Sequence, residues 1–212
     1  MNTSRDKQRI GVMGGTFDPI HYGHLVTAEA ARCEFRLDEV IFVPAGQPPH
    51  KSKRRVSPIE DRYAMSVLAT VTNPHFSVSP IEMEREGPSY TIDTLTALKK
   101  IYGQRSELFF ITGVDAILEI LSWKNPEQLL TTSSFVAASR PGYSPHQMNI
   151  LLRQLPEELR QRIIPLQVPA LAISSSDLRQ RVADGRPIKY LLPEAVESYI
   201  HKAGLYVSSE KV

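Results

Sequence analysis

Short apolar runs alternate with longer amphipathic stretches along most of the chain. Residues 9–14 (RIGVMG) read as a short buried strand closed by Gly14-Gly15, and an alanine-rich helical stretch follows over about 21–35. Residues 39–44 (EVIFVP) are a second strand, and a helix crossing over between two such strands is the βαβ unit of a parallel sheet. Ser57-Pro58-Ile59-Glu60 reads as a capping box with proline at the first helical position, opening a helix to about Thr70. A third strand falls at 76–78, a helix at 91–102, a buried strand at 107–112 (ELFFIT) and another at 134–139 (SFVAAS). Five strands alternating with helices predict an α/β fold with a doubly wound, mostly parallel sheet. Past Pro141-Gly142 the pattern weakens to a helix near 147–155, a short strand around 163–166, and helices from Ser174 and Pro193. One domain is therefore expected over 1–212, with a small helical C-terminal part from about 143.

Composition narrows the class. A chain of 212 residues suits one full core, and 42% hydrophobic with 23% charged residues excludes a disordered or collagen-like chain. A formal charge of +2 asks for neither a nucleic acid nor an acidic membrane, so any anion site must be local. Residues 45–56 (AGQPPHKSKRRV) interrupt the rhythm as a basic loop in which Lys53, Arg54 and Arg55 read as solvated charge. The N-terminus MNTSRDKQR lacks a signal-peptide apolar region, and the apolar runs are too short to span a bilayer. The single Cys33, in AARCEF, is expected to be a small buried side chain and excludes an intramolecular disulfide framework. These points lead to a reducing, cytoplasmic setting without nucleic-acid or membrane partners, and they leave room for a homo-oligomer.

Open parallel sheets bind ligands beyond the carboxyl ends of their strands, which draws attention to residues 14–24 (GGTFDPIHYGH). Gly14 and Gly15 let backbone approach a ligand, and Pro19 stiffens the turn before the helix. His21 and His24 are i and i+3, so they share a face of the first helical turn, where backbone N–H groups and the dipole favour an anion. That describes a phosphate site. A metal pair is the weaker reading, because no third Cys, Asp or Glu sits at ligand spacing. Farther on, Ser174 reads as an N-cap with Asp177 at the third helical position, and Arg179 adds a planar cationic fork one turn later.

GGTFDPIHYGHL resembles the glycine-rich, histidine-containing signature of the nucleotidyltransferase superfamily with a Rossmann-like fold, and residues 173–179 (ISSSDLR) resemble its second motif. PPHK (48–51), PSYTIDTL (88–95), FITGVDAILEILSW (110–123), SRPG (139–142) and residues 181–200 are together similar to bacterial nicotinate-mononucleotide adenylyltransferases. The departures are Val114, where many relatives have Ala, and LSW in place of L-P-x-W. The resemblance implies transfer of AMP from ATP to nicotinate mononucleotide in NAD biosynthesis, with His21, His24, Lys51 and Arg179 acting on the reacting phosphates. It implies contacts to ATP from Gly14, Gly15, Thr16, Phe17, Gly113, Asp115, Arg140, Ser175 and Ser176. The acceptor mononucleotide falls to Thr16, Lys51, Ser89, Tyr90, Thr91 and Trp123. Mg²⁺ is expected to arrive with ATP, without a dedicated protein ligand. Trp123 could equally be a core aromatic, and Asp115 could be the N-cap of a helix over 116–121. Two other functions share these features: transfer to a different phosphate acceptor, such as pantetheine phosphate or a sugar or alcohol phosphate, and a nucleotide sensor that never turns over. PSYT and the tryptophan loop argue against the first, and the intact histidine pair against the second.

Overall fold

The computed structural model describes residues 7–48, 56–139, 144–169 and 171–207. Its strands are β1 (Gln8–Gly15), β2 (Glu39–Pro44), β3 (Phe76–Val78), β4 (Ser106–Gly113), β5 (Ser134–Ser139) and β6 (Ile163–Gln167). The helices are α1 (Tyr22–Glu34), α2 (Ile59–Thr70), α3 (Thr91–Tyr102), α4 (Val114–Leu118), α5 (Pro126–Thr132), α6 (His146–Gln154), α7 (Glu157–Arg160), α8 (Ser175–Ala183) and α9 (Glu194–Lys202). All strands pair in parallel, in the order β3-β2-β1-β4-β5-β6. The expected doubly wound sheet is present and one strand larger, because the segment after residue 143 returns β6 to its edge.

The strands are apolar on both faces, as a sheet covered on both sides requires. Val12, Ile41, Phe110 and Phe135 belong to one buried cluster with Ile92 and Leu95 of α3 and Leu129 of α5. Met13, Phe42, Ile111 and Val136, one residue along each strand, belong to the other, with Ala28 of α1 and Met65 of α2. That second cluster also takes in Leu178 of α8 and Val196 and Ile200 of α9, so the last helices share a core with the first strand.

Three local expectations are corrected. The Ser57 capping box does not form: Pro58 is the N-cap, Arg62 N–H donates to its carbonyl at 3.2 Å, and the third helical position therefore falls to Asp61, with Glu60 at the second. Asp115 caps nothing, since α4 begins at Val114 with Gly113 as N-cap and Asp115 lies exposed in its first turn. Cys33 is exposed, because Ala28 and Ala31 set the inward face of α1 and Cys33 is out of phase with them. Lys51, Arg140 and the basic run Lys53 to Arg55 lie outside the described residues.

Candidate active site

Strand order reverses direction between β1 and β4, and a doubly wound sheet opens its ligand crevice at that point. Residues 14–24 leave the carboxyl end of β1 there, and Gly113 leaves β4 beside them. His21 is the N-cap of α1, in extended backbone, and 6% exposed. Its N–H donates to Nδ1 of His24 at 3.2 Å, and the two rings stack with centroids 3.8 Å apart. The histidines therefore also cap the helix, and capping fixes their chemistry. An accepting Nδ1 puts the proton of a neutral His24 ring on Nε2, making that atom its donor. Phe17 meets the His24 ring edge-on at 5.1 Å.

The glycines serve packing more than sequence suggested. A Cβ on Gly15 would sit 2.7 Å from the Phe17 ring, one on Gly14 3.0 Å from Phe110, and one on Gly23 2.9 Å from His21. Gly23, not singled out from sequence, is what lets the His21 ring fold back over the helix start. Phe17 is a core side chain, 2% exposed, so any contact it makes to a ligand comes from its backbone. Gly113 differs, because an added Cβ there would meet no atom within 4 Å.

The second motif docks directly on the first. Ser174 caps α8 by accepting from Asp177 N–H at 3.1 Å, as its spacing predicts. Ser175 Oγ donates to the Pro19 carbonyl at 2.9 Å. Arg179 donates through Nη1 to the Asp18 carbonyl and through Nη2 to Ser176 Oγ at 2.9 Å, and its guanidinium lies 3.8 Å from the Asp18 carboxylate. The positive ends of α1 and α8 and the Arg179 fork thus converge on residues 18–21. Asp18, 4% exposed, also accepts from the Tyr206 phenol at 2.7 Å.

Burial first, and the Asp18 charge second, push the Tyr206 phenol well above its ordinary value. A folded pKa above the unfolded one gives a contribution fully present below the unfolded value of about 10 and lost as pH climbs above it. Tyr206→Phe should flatten the fall of melting temperature between pH 9.5 and 11, and lower the melting temperature at pH 7 by loss of the Asp18 bond. An alkaline limb as steep as that of the unmutated protein would contradict this role.

Of the residues expected to hold the acceptor, Ser89, Tyr90 and Thr91 lie at the start of α3. Tyr90 is its N-cap and Thr91 its first residue, so the opening N–H groups of a twelve-residue helix sit there. Trp123 is half-buried in the loop before α5 and meets Phe110 at 6.1 Å and Phe135 at 6.4 Å, both edge-on. It is a wall of the core with one side at the loop. Ser89 Oγ accepts from Gln47 N–H at 3.0 Å. Lys124, which sequence reasoning missed, lies 4.5 Å from the Tyr90 ring and pairs with Asp93 at 3.1 Å. It supplies the cation that residues 88–98 lack, from 31 positions away.

With this geometry in place, the class is defined: residues 12–181 match the cytidylyltransferase-like family, to which the chain belongs. Within it the chain is a member of the nicotinate-nucleotide adenylyltransferase group. It is 59% identical over 203 residues to a Thermoanaerobacter protein named a probable nicotinate-nucleotide adenylyltransferase, covering 96% of each chain. A Moorella thermoacetica protein of the same name is 57% identical over 206 residues, covering 97% of this chain and 95% of its own. The fold is shared with a Plasmodium falciparum nicotinic acid mononucleotide adenylyltransferase solved with NaAD, at 21% identity and a TM-score of 0.71, covering 94% of this chain and 97% of that one. No helix among the described residues is long and apolar enough to cross a membrane.

Proposed function

We propose that this chain transfers AMP from ATP to nicotinate mononucleotide, releasing pyrophosphate and forming the deamido form of NAD, as a single-domain cytoplasmic enzyme. The observation that carries the reading is the convergence of two helix N-termini, the stacked histidine pair and Arg179 at one switch point. The acceptor's phosphate attacks the α-phosphorus in line. A phosphate monoester has its second pKa near 6, so at neutral pH the attacking oxygen is mostly ionised and needs no protein base. The chain must align two anions and stabilise charge building on the α-phosphate and leaving group. His24 Nε2 and the α1 N-terminus act on the transferring phosphate, and Arg179 with the α8 N-terminus holds the triphosphate. Gly113, whose missing side chain faces open space, lets the adenosine approach the end of β4. Magnesium carried by the triphosphate would neutralise part of the charge that Arg179 meets, without a dedicated protein ligand. That suits the donor set, because Asp18 is committed to Tyr206 and Arg179.

The acid mononucleotide should be preferred over its amide. The two differ only in a carboxylate replaced by a carboxamide, and the α3 N–H groups can donate to the carboxylate but only oppose an amide NH₂. A buried donor set against a donor costs about 1–3 kcal/mol, so kcat/KM should favour the acid by roughly 5- to 150-fold. Trp123→Ala should weaken both acceptors, whereas Thr91→Pro, which deletes one N–H, should shrink the preference. Equal kcat/KM for the two mononucleotides in the unmutated protein would overturn this specificity.

A further inference from the structure

Among the described residues Arg62 is the largest fully buried side chain, 2% exposed in the first turn of α2. Its hydrogen bonds go to main-chain carbonyls: Nε to Ser57 at 2.9 Å, Nη1 to Thr16 at 3.0 Å and Ala45 at 2.6 Å, and Nη2 to Gly46 at 3.2 Å. Asp18, Glu60 and Glu82 act on its charge only through space. Three separated segments, the signature turn, the start of the 45–56 segment and its exit at Ser57, thus meet on one guanidinium. Only a planar fork with several fixed donors can do this, since a lysine ammonium offers three donors from a single point. Burying a charge is costly, and an apolar side chain of similar volume commonly serves stability as well. Such a group is suited to fixing geometry.

The segment that Arg62 pins leads straight to the start of α3. Gly46 lies so close to the Glu82 carbonyl that any Cβ would collide with it. Gln47 pairs with Ser89 in both directions, its N–H donating to Ser89 Oγ at 3.0 Å and its carbonyl accepting from Ser89 N–H at 2.9 Å. Ser89 is followed by Tyr90 and Thr91, the N-cap and first residue of α3. On the other side Ala45 N–H donates to the Gly15 carbonyl at 2.8 Å, returning the segment to the signature turn.

We infer that Arg62 is a positioning residue for the acceptor: it sets the distance between the signature turn, where the phosphates react, and the start of α3, where the nicotinate carboxylate is held. The inference rests on the function proposed above. It assigns Arg62 no contact with substrate. Its loss should therefore loosen the acceptor's half of the site far more than the triphosphate half, where α8 holds the signature turn independently through Ser175 to Pro19 and Arg179 to Asp18. A displacement of about 1 Å can cost on the order of 10²-fold in rate, so the effect should be plain.

The test uses the full chain unmutated and as Arg62→Lys and Arg62→Met, assayed well below each measured melting temperature, with KM determined for each substrate. The KM for nicotinate mononucleotide should rise about 10-fold or more while the KM for ATP stays within about 3-fold. Lysine should recover only part of the loss. A purely structural role would lower the melting temperature and the active fraction, hence kcat, with both KM values unchanged, and that result overturns the inference, as does an equal rise in both. Should neither variant show cooperative melting, Gly46→Ala shifts the same segment against Glu82 without touching the charge. It must then raise the acceptor KM selectively, and an unchanged acceptor KM refutes the assignment. A failure of the functional reading shows instead in the unmutated protein, as absence of product.

Discussion

His24→Ala is expected to lower kcat roughly 10²–10³-fold, the usual loss for one transition-state donor, while ATP binding changes much less. The expectation rests on the ring's fixed tautomer. With Nδ1 accepting from His21 N–H, Nε2 carries the proton of the neutral ring, and it is this donor that is proposed to meet the charge developing at the α-phosphate. The same substitution removes a helix cap, worth about 1 kcal/mol of stability. That loss cannot account for the rate effect, because a chain several kcal/mol stable stays almost fully folded after losing one. Steady-state kinetics with a thermal melt on the same sample separates the two contributions. Near-normal kcat with a lowered melting temperature would leave His24 as a cap alone.

Arg179→Ala should weaken ATP binding and turnover together, because the fork is proposed to hold triphosphate in the ground state as well as the transition state. Removing one member of a buried, hydrogen-bonded charge set costs about 2–5 kcal/mol, so kcat/KM for ATP should fall roughly 30- to 5,000-fold. The structure adds a second consequence. Arg179 is also the ion-pair partner of Asp18, so the alanine variant removes a guanidinium 3.8 Å from a 4%-exposed carboxylate that keeps its Tyr206 hydrogen bond, and it should melt lower. Lysine should restore part of the stability through its charge and less of the ATP affinity, since it lacks the planar fork. An unchanged KM for ATP in the alanine variant would remove Arg179 from the triphosphate site.

The strands and most helices were legible because their signals are local. Apolar runs of strand length, Gly14-Gly15 and the Ser174 cap each act within a few residues, and β2, β3 and β5 have the bounds that the sequence predicts. The strand β6 was also legible by itself, but its place on the sheet depends on pairing with β5, which no local pattern encodes. Long-range side-chain partners were the hidden part. Arg179 meets Asp18 across 161 positions, Tyr206 meets Asp18 across 188, and Arg62 reaches Thr16 across 46. Nothing at Arg62 in the sequence distinguishes a buried clamp from a solvated helix charge. The errors were local in kind: one residue of helix phase separates the expected Ser57 cap from the observed Pro58 cap, and phase also turns Cys33 outward. In sequence Gly14 and Gly15 make room for a ligand, whereas in the fold they first make room for Phe110 and Phe17, and Gly23, which no sequence signal marks, makes room for His21.

The most direct measurement of the central claim is product formation by the pure protein with ATP and magnesium, offered in turn nicotinate mononucleotide, pantetheine phosphate and a sugar phosphate. Pyrophosphate and nicotinate adenine dinucleotide should appear in equal amounts with nicotinate mononucleotide, and the other acceptors should release little pyrophosphate. Pyrophosphate release with another acceptor in its place, or nucleotide binding without any acceptor-dependent release, would contradict the account.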